Sequence, residues 1–408
     1  MAAKLKVAIA AGGTAGHVNP ALALAEELRS RGHDVRFFGE SRRLEGKLVP
    51  AAGFPFTPIH VTGFDRERPW TVISALANLA RTEGRLVRDF KRDAALRPDV
   101  AVGFGAYIEL PLVRAAAKLG IPYALHEQNS VPGLANKQAA KGAALIGIAQ
   151  PSVRAVFEQR GASPEAIELV GNPVRASVLA GDRARGRAEL GVPEGATLLV
   201  VFGGSLGAHH LNERMVALKD ELLSMEGVHV LHSTGADDFE ATERALALDE
   251  AEAQRYHVRP YIDDMGDVLA AADLVLSRAG ASSIAEIAAL AVPAVLVPYP
   301  HATADHQTTN ARYLVDAGAA EMCADAAIDE PAFADMLLGL LRDPQRRAEM
   351  RAHAEGLGQA RAAERFADAV ESASPADPRQ HNAGNLARSM ARRSAHSDTV
   401  RAFLRSVI

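Results

Sequence analysis

The stretch that decides the fold is Val7-Ala-Ile-Ala-Ala-Gly-Gly-Thr-Ala-Gly-His17, which leads into residues 20–31. Residues 7–10 have the composition of a buried strand, and the residues from 20 onward recur with a helical period. Glycines at such a strand-to-helix turn let backbone N–H groups approach a ligand, and the helix N-terminus attracts negative charge. The segment therefore predicts an anion-binding or diphosphate-binding corner, although a tight turn without a ligand also fits it.

The same alternation of apolar runs and helical segments continues along the chain. It predicts parallel sheets with helices on both faces, the pattern of doubly wound α/β proteins. Strands are predicted in the first half at 5–10, 35–39, 100–103, 123–126 and 145–149, with helices at 21–31 and 110–119. Strands are predicted in the second half at 197–202, 228–232, 274–277 and 294–297, with helices at 213–223, 282–290 and 307–317.

The domain boundary is predicted after Gly171-Asn172-Pro173, where a polar, charged stretch precedes a new apolar strand. We therefore expect Rossmann-like domains at 1–173 and 174–357. Residues 331–373 are predicted to be helical throughout. Residues 375–408 carry six Arg against two Asp and read as a basic, flexible tail.

Length and composition limit the classes of function. The chain has 408 residues, and at roughly 150 residues per domain this allows two to three domains. Lys and Arg number 45 against 50 Asp and Glu, and this balance argues against a general nucleic-acid binder. The single cysteine, Cys323, excludes an internal disulfide framework and fits a reducing compartment. Because no run of roughly 18–20 apolar residues is present, no spanning helix is predicted.

Two further glycine corners follow strands in the second half. One is Gly203-Gly-Ser-Leu-Gly-Ala208, and the other is Ser277-Arg-Ala-Gly-Ala-Ser-Ser283, which opens a helix containing Glu286. Ligands of open α/β sheets bind at the carboxyl ends of the strands, so we expect the corners of both domains to border one cleft. A helix cap with a favourable acid explains the last corner without a ligand. A phosphate held by the turn and a ribose held by Glu286 is the functional alternative.

Together these motifs resemble the MurG family of glycosyltransferases. The similar segments are 12–20, 126–137, 171–175, 203–208, 261–265, 277–286 and 305–310, and the resemblance covers about residues 4–372. It implies a GT-B fold, in which two Rossmann-like domains face each other across a cleft and the last helix, near 358–372, returns to the first domain. It also implies inverting transfer of N-acetylglucosamine from UDP-GlcNAc to the C4 hydroxyl of MurNAc in lipid I, which gives lipid II and UDP in peptidoglycan synthesis.

The resemblance assigns the donor to the second domain and implies no cofactor and no metal. Ile262 would contact uracil, Glu286 would hold the ribose, and Gln307 with Asn310 would read the sugar hydroxyls. The other residues that it implies for donor binding are Thr14, Ala15, Gly16, Asn129, Arg175, Ser205, Ala281, Ser282, Ser283, Ile284 and Ala285.

The reaction needs one base, because the acceptor hydroxyl loses a proton as it attacks. His17 is the first candidate, since an unperturbed imidazole pKa of about 6.5 lies near working pH. Donation to the diphosphate is its alternative role, and Glu127 and Glu109 are reserve candidates. The chain departs from the family at Ala15 and Ala106, where glycine is common, and at Glu109, where a small hydroxyl residue is usual.

A membrane contact is predicted between Trp70 and Arg88. Its apolar members are Trp70, Ile73, Leu76 and Leu79, and its basic members are Arg81, Arg85 and Arg88. Such a helix would dock peripherally on anionic lipid of the cytoplasmic leaflet, although a core-packing stripe with a solvated basic face fits equally. The expected partners are UDP-GlcNAc, lipid I, an anionic membrane surface and, as further candidates, cell-wall or division proteins; no nucleic acid is expected.

Two other functions remain as alternatives. UDP-GlcNAc 2-epimerases and natural-product glycosyltransferases share the GT-B architecture, but segments 12–20 and 126–137 favour the MurG family. A non-catalytic scaffold that binds sugar nucleotides would be expected to lack cleft residues such as His17 and Arg175, which are present.

Overall fold

A computed structural model of the chain describes residues 4–61, 71–204 and 207–374, without the side chains of 71 and 72. Its first half contains one parallel sheet with the spatial order β3-β2-β1-β4-β5-β6-β7. The strands are β1 (Lys6–Ala10), β2 (Asp34–Gly39), β3 (Phe56–Pro58), β4 (Val100–Gly103), β5 (Tyr123–Glu127), β6 (Leu145–Ile148) and β7 (Ile167–Leu169). The helices are α1 (Ala15–Ser30), α2 (Glu45–Ala51), α3 (Thr71–Arg92), α4 (Glu109–Lys118), α5 (Leu134–Ala139) and α6 (Arg154–Gln159).

The second half contains another parallel sheet, with the order β10-β9-β8-β11-β12-β13. Its strands are β8 (Thr197–Phe202), β9 (Val228–Ser233), β10 (Tyr256–Arg259), β11 (Leu274–Ser277), β12 (Ala294–Leu296) and β13 (Ala320–Met322). Its helices are α7 (Ala176–Leu179), α8 (Arg183–Glu189), α9 (His209–Ala217), α10 (Lys219–Ser224), α11 (Phe239–Leu246), α12 (Glu250–Ala253), α13 (Met265–Ala271), α14 (Ala281–Ala289), α15 (His306–Val315), α16 (Pro331–Arg342), α17 (Pro344–Ala354) and α18 (Ala362–Ala373).

Each sheet reverses its winding next to its first strand. The chain builds outward through β2 and β3 and then resumes on the other side of β1 with β4, and β8 and β11 repeat this arrangement in the second sheet. Such a reversal opens a crevice at the carboxyl ends of the two central strands, where ligands bind in doubly wound folds. The predicted class of two Rossmann-like domains is confirmed.

The central strands are buried on both faces because their side chains alternate between two cores. Val7 and Ile9 of β1 pack with the core that includes α1, whereas Ala8 and Ala10 pack with the core that includes α3 and α4. In the second sheet, Leu198 and Val200 pack on one face with α13 and α14. Because side chains along a strand point alternately to the two faces of the sheet, this pattern determines which helices cover each face. It thereby also determines where the ends of the strands meet the starts of the helices.

Helix α18 comes from the end of the described chain but packs on the first sheet. Phe366 is fully buried there against Phe104 and His126, with ring centroids 5.8 and 5.1 Å away. A Cβ on Gly147 of β6 would lie 2.8 Å from the Phe366 ring, so a glycine is needed for this approach. His33 and Glu371 add a polar contact of 2.8 Å. The last helix therefore ties the end of the second half to the first domain.

Several predicted elements have different bounds in the structure. Strands β3, β7, β10 and β13 were not predicted, because three or four residues at a sheet edge give almost no periodic signal. The predicted helix 213–223 divides at Leu218, which leaves helical dihedrals at φ −92° and ψ 5° with its side chain buried. The prediction of continuous helix over 331–373 is wrong at 355–361, where Gly356 adopts φ +84° and ends the helical run.

No helix in the described ranges is both long enough and apolar enough to cross a membrane. The predicted tail, 375–408, lies outside the described residues.

Candidate active site

The glycine corner after β1 and the start of α14 meet between the two domains. Ser282 Oγ donates a hydrogen bond to the Gly16 carbonyl at 3.4 Å, and Asn172 Nδ2 donates to the Ala281 carbonyl at 3.1 Å. The 12–17 corner of the first domain and the 277–283 corner of the second therefore face one cleft, as the sequence predicted. The lobes are close enough for side chains of one to bond the backbone of the other.

The first corner continues into a helix earlier than predicted. Gly13 adopts φ +92°, Thr14 is extended, and α1 begins at Ala15, five residues before the predicted start at Pro20. Pro20 does not prevent this because it removes only one N–H, the donor that would have reached the Gly16 carbonyl four residues earlier. The carbonyl that Pro20 leaves without this donor is the one that Ser282 contacts. Gly16 and His17 thus lie in the first helical turn.

His17 faces the cleft from this first turn. Its Nδ1 lies 3.1 Å from Thr14 Oγ1, so Thr14 can fix which imidazole nitrogen carries the proton. Burial lowers the pKa of His17 to about 4, and the nearby imidazole of His306 acts in the same direction. The ring is therefore neutral at pH 7 and has a nitrogen able to accept a proton.

The reserve candidate Glu127 is almost completely buried at the end of β5, with 1% exposure. Its Oε1 accepts hydrogen bonds from the backbone and side chain of Asn129, and its Oε2 accepts from Gly133 N–H and Asn136 Nδ2 at 2.9 Å each. Burial raises the pKa of this carboxyl, and the four bonds oppose that shift. In this structure Glu127 fixes the loop that carries Asn129. Its role as a base stays a prediction.

The other reserve candidate, Glu109, is the first residue of α4 and has no exposed surface. It lies behind the turn between β4 and α4 and accepts a hydrogen bond from Gly105 N–H at 2.5 Å. Burial raises its pKa to about 8. In this structure Glu109 contacts the backbone of the turn and does not reach the cleft surface.

The start of α14 offers backbone donors to an anion. Its N-cap is Gly280, which has no side chain to bond the free N–H groups of the first turn. Those groups belong to the predicted diphosphate turn, residues Ala281, Ser282 and Ser283. A helix N-terminus of this kind can hold a phosphate through its N–H groups and its positive dipole end. Ile284 and Ala285 follow in the same helix.

Glu286 lies one turn further along α14 and is nearly buried. Burial raises its pKa to about 7, while the positive charge of Arg175 acts in the opposite direction. Tyr261 is close enough for its phenol to be affected by the same carboxyl. The two oxygens of a buried carboxylate are suited to accept from vicinal hydroxyls.

Arg175 makes an ion pair across the domain interface that the sequence did not predict. Its Nε and Nη2 donate to Glu26 Oε1 of α1, at 3.0 and 2.7 Å. The guanidinium thus lies between an acid of the first domain and Glu286 of the second. Its predicted contact with a diphosphate would have to compete with, or add to, the bond to Glu26.

Gln307 and Asn310 differ in what they leave available to a ligand. Gln307 Oε1 accepts from the backbone N–H groups of Ala279 and Tyr299, so only its amide nitrogen remains to donate. Asn310 is 3% exposed, and its Oδ1 accepts from the backbone and hydroxyl of Ser130 in the first domain. Gln307 thus keeps a donor for a ligand, whereas Asn310 joins the two lobes; the predicted sugar contacts of both stay predictions.

Some predicted site residues lie elsewhere or outside the description. Ile262 is buried at 3% exposure, so only its backbone is offered to a ligand. Ser205 and Trp70 lie outside the described residues. The prediction that Leu79 contacts the membrane is wrong: Leu79 is 7% exposed and packs in the core of the first domain, because it lies on the inner face of α3. Leu76 is half-buried on the same helix.

A charged network behind the 277–283 corner was also missed by sequence reasoning. Arg278, at the end of β11, pairs with Asp325 at 2.5 Å, and His210 of α9 contacts Asp325 and Asp329 at 3.0 and 2.9 Å. Hydrogen bonds to Asp329 and Asp325 raise the pKa of His210. The network links the helix after the Gly203 corner to the strand end before α14. Its bonded partners are 47–119 residues apart in the chain, so no local pattern signals it.

Comparison with known proteins identifies both halves of the chain. Residues 7–148 match the glycosyltransferase family 28 N-terminal domain, and residues 198–371 match the glycosyltransferase family 28 C-terminal domain. A relative from Acidothermus cellulolyticus is 39% identical over 91% of this chain and 99% of its own length. A relative from Halothermothrix orenii is 36% identical over 87% of this chain and 95% of its own length. Both are named UDP-N-acetylglucosamine--N-acetylmuramyl-(pentapeptide) pyrophosphoryl-undecaprenol N-acetylglucosamine transferase.

The solved structures agree with these relatives. MurG of Acinetobacter baumannii superposes with a TM-score of 0.67 at 30% identity and covers 91% of this chain and 100% of its own. A putative UDP-N-acetylglucosamine 2-epimerase from Listeria monocytogenes has a TM-score of 0.64 at only 16% identity, a likeness of fold alone. The GT-B arrangement implied by the sequence is confirmed. On the matched domains and on identities of 36–39% along nearly the whole of its relatives, this chain belongs to glycosyltransferase family 28 and, within it, to the MurG family.

Proposed function

We propose that the protein transfers N-acetylglucosamine from UDP-GlcNAc to the C4 hydroxyl of MurNAc in lipid I, releasing UDP and forming lipid II. The observation that carries the proposal is the contact between the two corners, Ser282 Oγ with the Gly16 carbonyl at 3.4 Å. This contact brings the start of α14, the proposed phosphate site, beside the turn that carries His17 in the other domain. A donor held by α14 would therefore present its sugar to the first domain.

The second domain supplies the donor contacts. The free N–H groups at the start of α14 and the positive charge of Arg175 would hold the diphosphate and stabilise the charge that develops on UDP as it leaves. Glu286 would accept from the ribose hydroxyls, and the Gln307 amide nitrogen would donate to a sugar hydroxyl. The backbone at Ile262 would meet the uracil. These contacts use backbone and amide dipoles, a guanidinium and a carboxylate, and each is complementary to the part of UDP-GlcNAc that it would meet.

The first domain supplies the base. As the C4 oxygen forms its bond to C1 and the bond from C1 to the UDP oxygen breaks, the hydroxyl proton passes to His17. The imidazole is neutral in the free protein because burial lowers its pKa to about 4. Bound diphosphate would bring negative charge near the ring and thereby raise this pKa, which makes the imidazole a stronger base with the donor in place. Attack opposite to the leaving group inverts the anomeric centre.

Helix α3 supports a contact with an anionic membrane surface, where a lipid-linked acceptor is held. Ile73 is 75% exposed at its start, and Arg81, Arg85 and Arg88 are exposed further along. An exposed apolar residue beside cations is the combination that binds an interface of anionic lipid. Vesicle sedimentation with anionic and with neutral lipid tests this contact on the full chain, which should sediment with the anionic vesicles only.

Transfer itself is tested with purified protein, radiolabelled UDP-GlcNAc and a lipid I analogue. Label should move into the lipid fraction, and UDP should appear in equal amount. Conversion of the labelled UDP-GlcNAc into an epimeric UDP-sugar, with no label in the lipid fraction, would indicate an epimerase. Donor binding without either reaction would indicate a scaffold. Either outcome would contradict the proposed function.

A further inference from the structure

Glu109 occupies an unusual position next to the first corner. Its carboxyl is fully buried, Oε2 accepts from Gly105 N–H at 2.5 Å, and Oε1 has no hydrogen-bond partner among the described residues. A carboxyl with one oxygen bound to the backbone and the other enclosed by protein cannot touch a substrate in the cleft. It can, however, determine the position of the backbone that it binds.

Gly105 connects this carboxyl with His17. A Cβ built on Gly105 would lie 3.1 Å from His17 Cδ2 and 3.3 Å from Nε2, so the edge of the imidazole lies against this residue. Gly105 has φ +85°, a conformation that favours glycine. Glu109 thus holds the N–H of the residue whose α-carbon supports the ring.

The charges around Glu109 favour its protonated form. The titratable groups that face it are Glu127 and Tyr123 on β5 and, across Gly105, His17 on α1. Burial raises the pKa of Glu109 to about 8, the carboxylate of Glu127 adds to that shift, and the Gly105 N–H opposes it. No ion pair to Glu109 is found in the described part of the chain. At neutral pH the side chain is therefore mostly an uncharged acid.

We propose that Glu109 is a positioning residue: its buried carboxyl fixes the Gly105 amide and so holds the surface against which the His17 imidazole lies. This inference rests on the proposed function, because it assumes that His17 takes the proton. In place of the role of reserve base, it gives Glu109 an action on His17 through the turn between β4 and α4.

Two substitutions of Glu109 separate these roles. Glu109→Gln keeps an uncharged acceptor of the same size for Gly105 N–H, so kcat at pH 7 should stay within about threefold of the wild type. Glu109→Ala removes the acceptor, so kcat should fall at least tenfold while the KM for UDP-GlcNAc changes less than twofold. An equal loss in both variants would mean that the carboxyl itself exchanges a proton and would overturn the proposal, as would unchanged kcat in Glu109→Ala.

A substitution on the other side of the contact provides a second test. Gly105→Ala should lower kcat at least tenfold, because its methyl group would displace the His17 ring. Gly32→Ala is the matched control: Gly32 has φ +91°, similar to Gly105, but no atom lies within 4 Å of its Cβ position. Both variants carry the same kind of backbone strain, and only the first should affect turnover. Equal kcat in the two would contradict the proposed contact.

Two further measurements do not depend on turnover. The His17 ring proton resonance, assigned by its absence in His17→Ala, should shift in Glu109→Ala and stay in place in Glu109→Gln. Because burial raises the pKa of Glu109 in the folded protein, its contribution to stability should be lost as pH rises from about 4.5 to about 8. Glu286 and Glu127 act in the same direction in both proteins, so the free energy of unfolding of the wild type should fall relative to that of Glu109→Gln over this range. Neither measurement needs turnover, so both test the position of Glu109 even if the protein has no transferase activity. An unshifted His17 resonance in Glu109→Ala would overturn the positioning role.

Discussion

The two domains have similar topologies, with seven and six parallel strands in the part that the structure describes, yet the polar groups at their glycine corners differ. At the first corner, burial leaves titratable groups with shifted pKa values: about 4 for His17, about 4 for His126 and about 8 for Glu109. At the 277–283 corner burial also raises the pKa of Glu286, to about 7, but Gln307 and Asn310 beside it are held by hydrogen bonds to their neighbours. The first arrangement suits proton transfer and the second suits a rigid binding surface. A shared fold therefore fixes where the site lies and leaves the chemistry to a few side chains.

The largest effect should come from the first corner. His17→Ala removes the proposed base, so kcat should fall by roughly 10²–10⁴-fold, the usual contribution of a general base. The affinity for UDP, measured by calorimetry, should change less than threefold, because the second domain provides the donor contacts. A large loss of UDP affinity with little change in kcat would reverse the division of roles and make His17 a ligand of the diphosphate.

Substitution of Glu286 tests donor binding at the 277–283 corner. Glu286→Gln should weaken UDP-GlcNAc binding by roughly ten- to a hundredfold, because a hydrogen bond to a charged group contributes about 1.5–3 kcal/mol. Since the pKa of Glu286 is raised to about 7, wild-type affinity should rise as pH increases through 7, when the carboxylate forms, and this rise should vanish in the variant. Asp263→Asn is the control, because Asp263 is an exposed acid near the same pocket. A pH dependence that survives in Glu286→Gln would show that another group is responsible.

The ion pair between Arg175 and Glu26 should have a smaller effect. Both side chains are partly exposed, at 31% and 20%, and a pair of this kind contributes about 0.2–1 kcal/mol. Glu26→Gln should release Arg175 and tighten UDP-GlcNAc binding by up to about fivefold, an effect that should shrink at high salt. Glu27→Gln is the matched control, because Glu27 pairs with Arg31 inside α1 and does not bridge the domains. Weaker binding in Glu26→Gln would mean that the pair persists with the donor bound.

Sequence reasoning was most successful where the signal is local. The strands β1, β4, β8 and β11 are continuous apolar runs because both of their faces are buried, so they stand out in the sequence. The glycine corners were also found, since each is a short motif between a strand and a helix. These two features place the cleft.

The missed features depend on pairs that are far apart in the chain. Arg175 meets Glu26 across 149 positions, and Ser130 meets Asn310 across 180. No spacing rule relates such residues, because their contact arises only when the two domains dock. The buried position of Glu109 was missed for a related reason: a carboxylate at a helix start usually faces solvent, and only the packing of β4 and β5 around it shows otherwise.

Substitution of Ala106 gives the smallest predicted effect on turnover, and it tests which residue fixes the turn between β4 and α4. Ala106 adopts φ +61°, where a residue with a Cβ is strained by roughly 1–2 kcal/mol. Ala106→Gly should raise the free energy of unfolding by about 1 kcal/mol, as measured by calorimetry. Ala247→Gly, at φ +45° after α11 in the second domain, should give a similar gain and is the control. Because Glu109 fixes Gly105 independently of residue 106, kcat should stay within twofold; a fall in kcat would mean that the strain at Ala106 itself keeps the turn against His17.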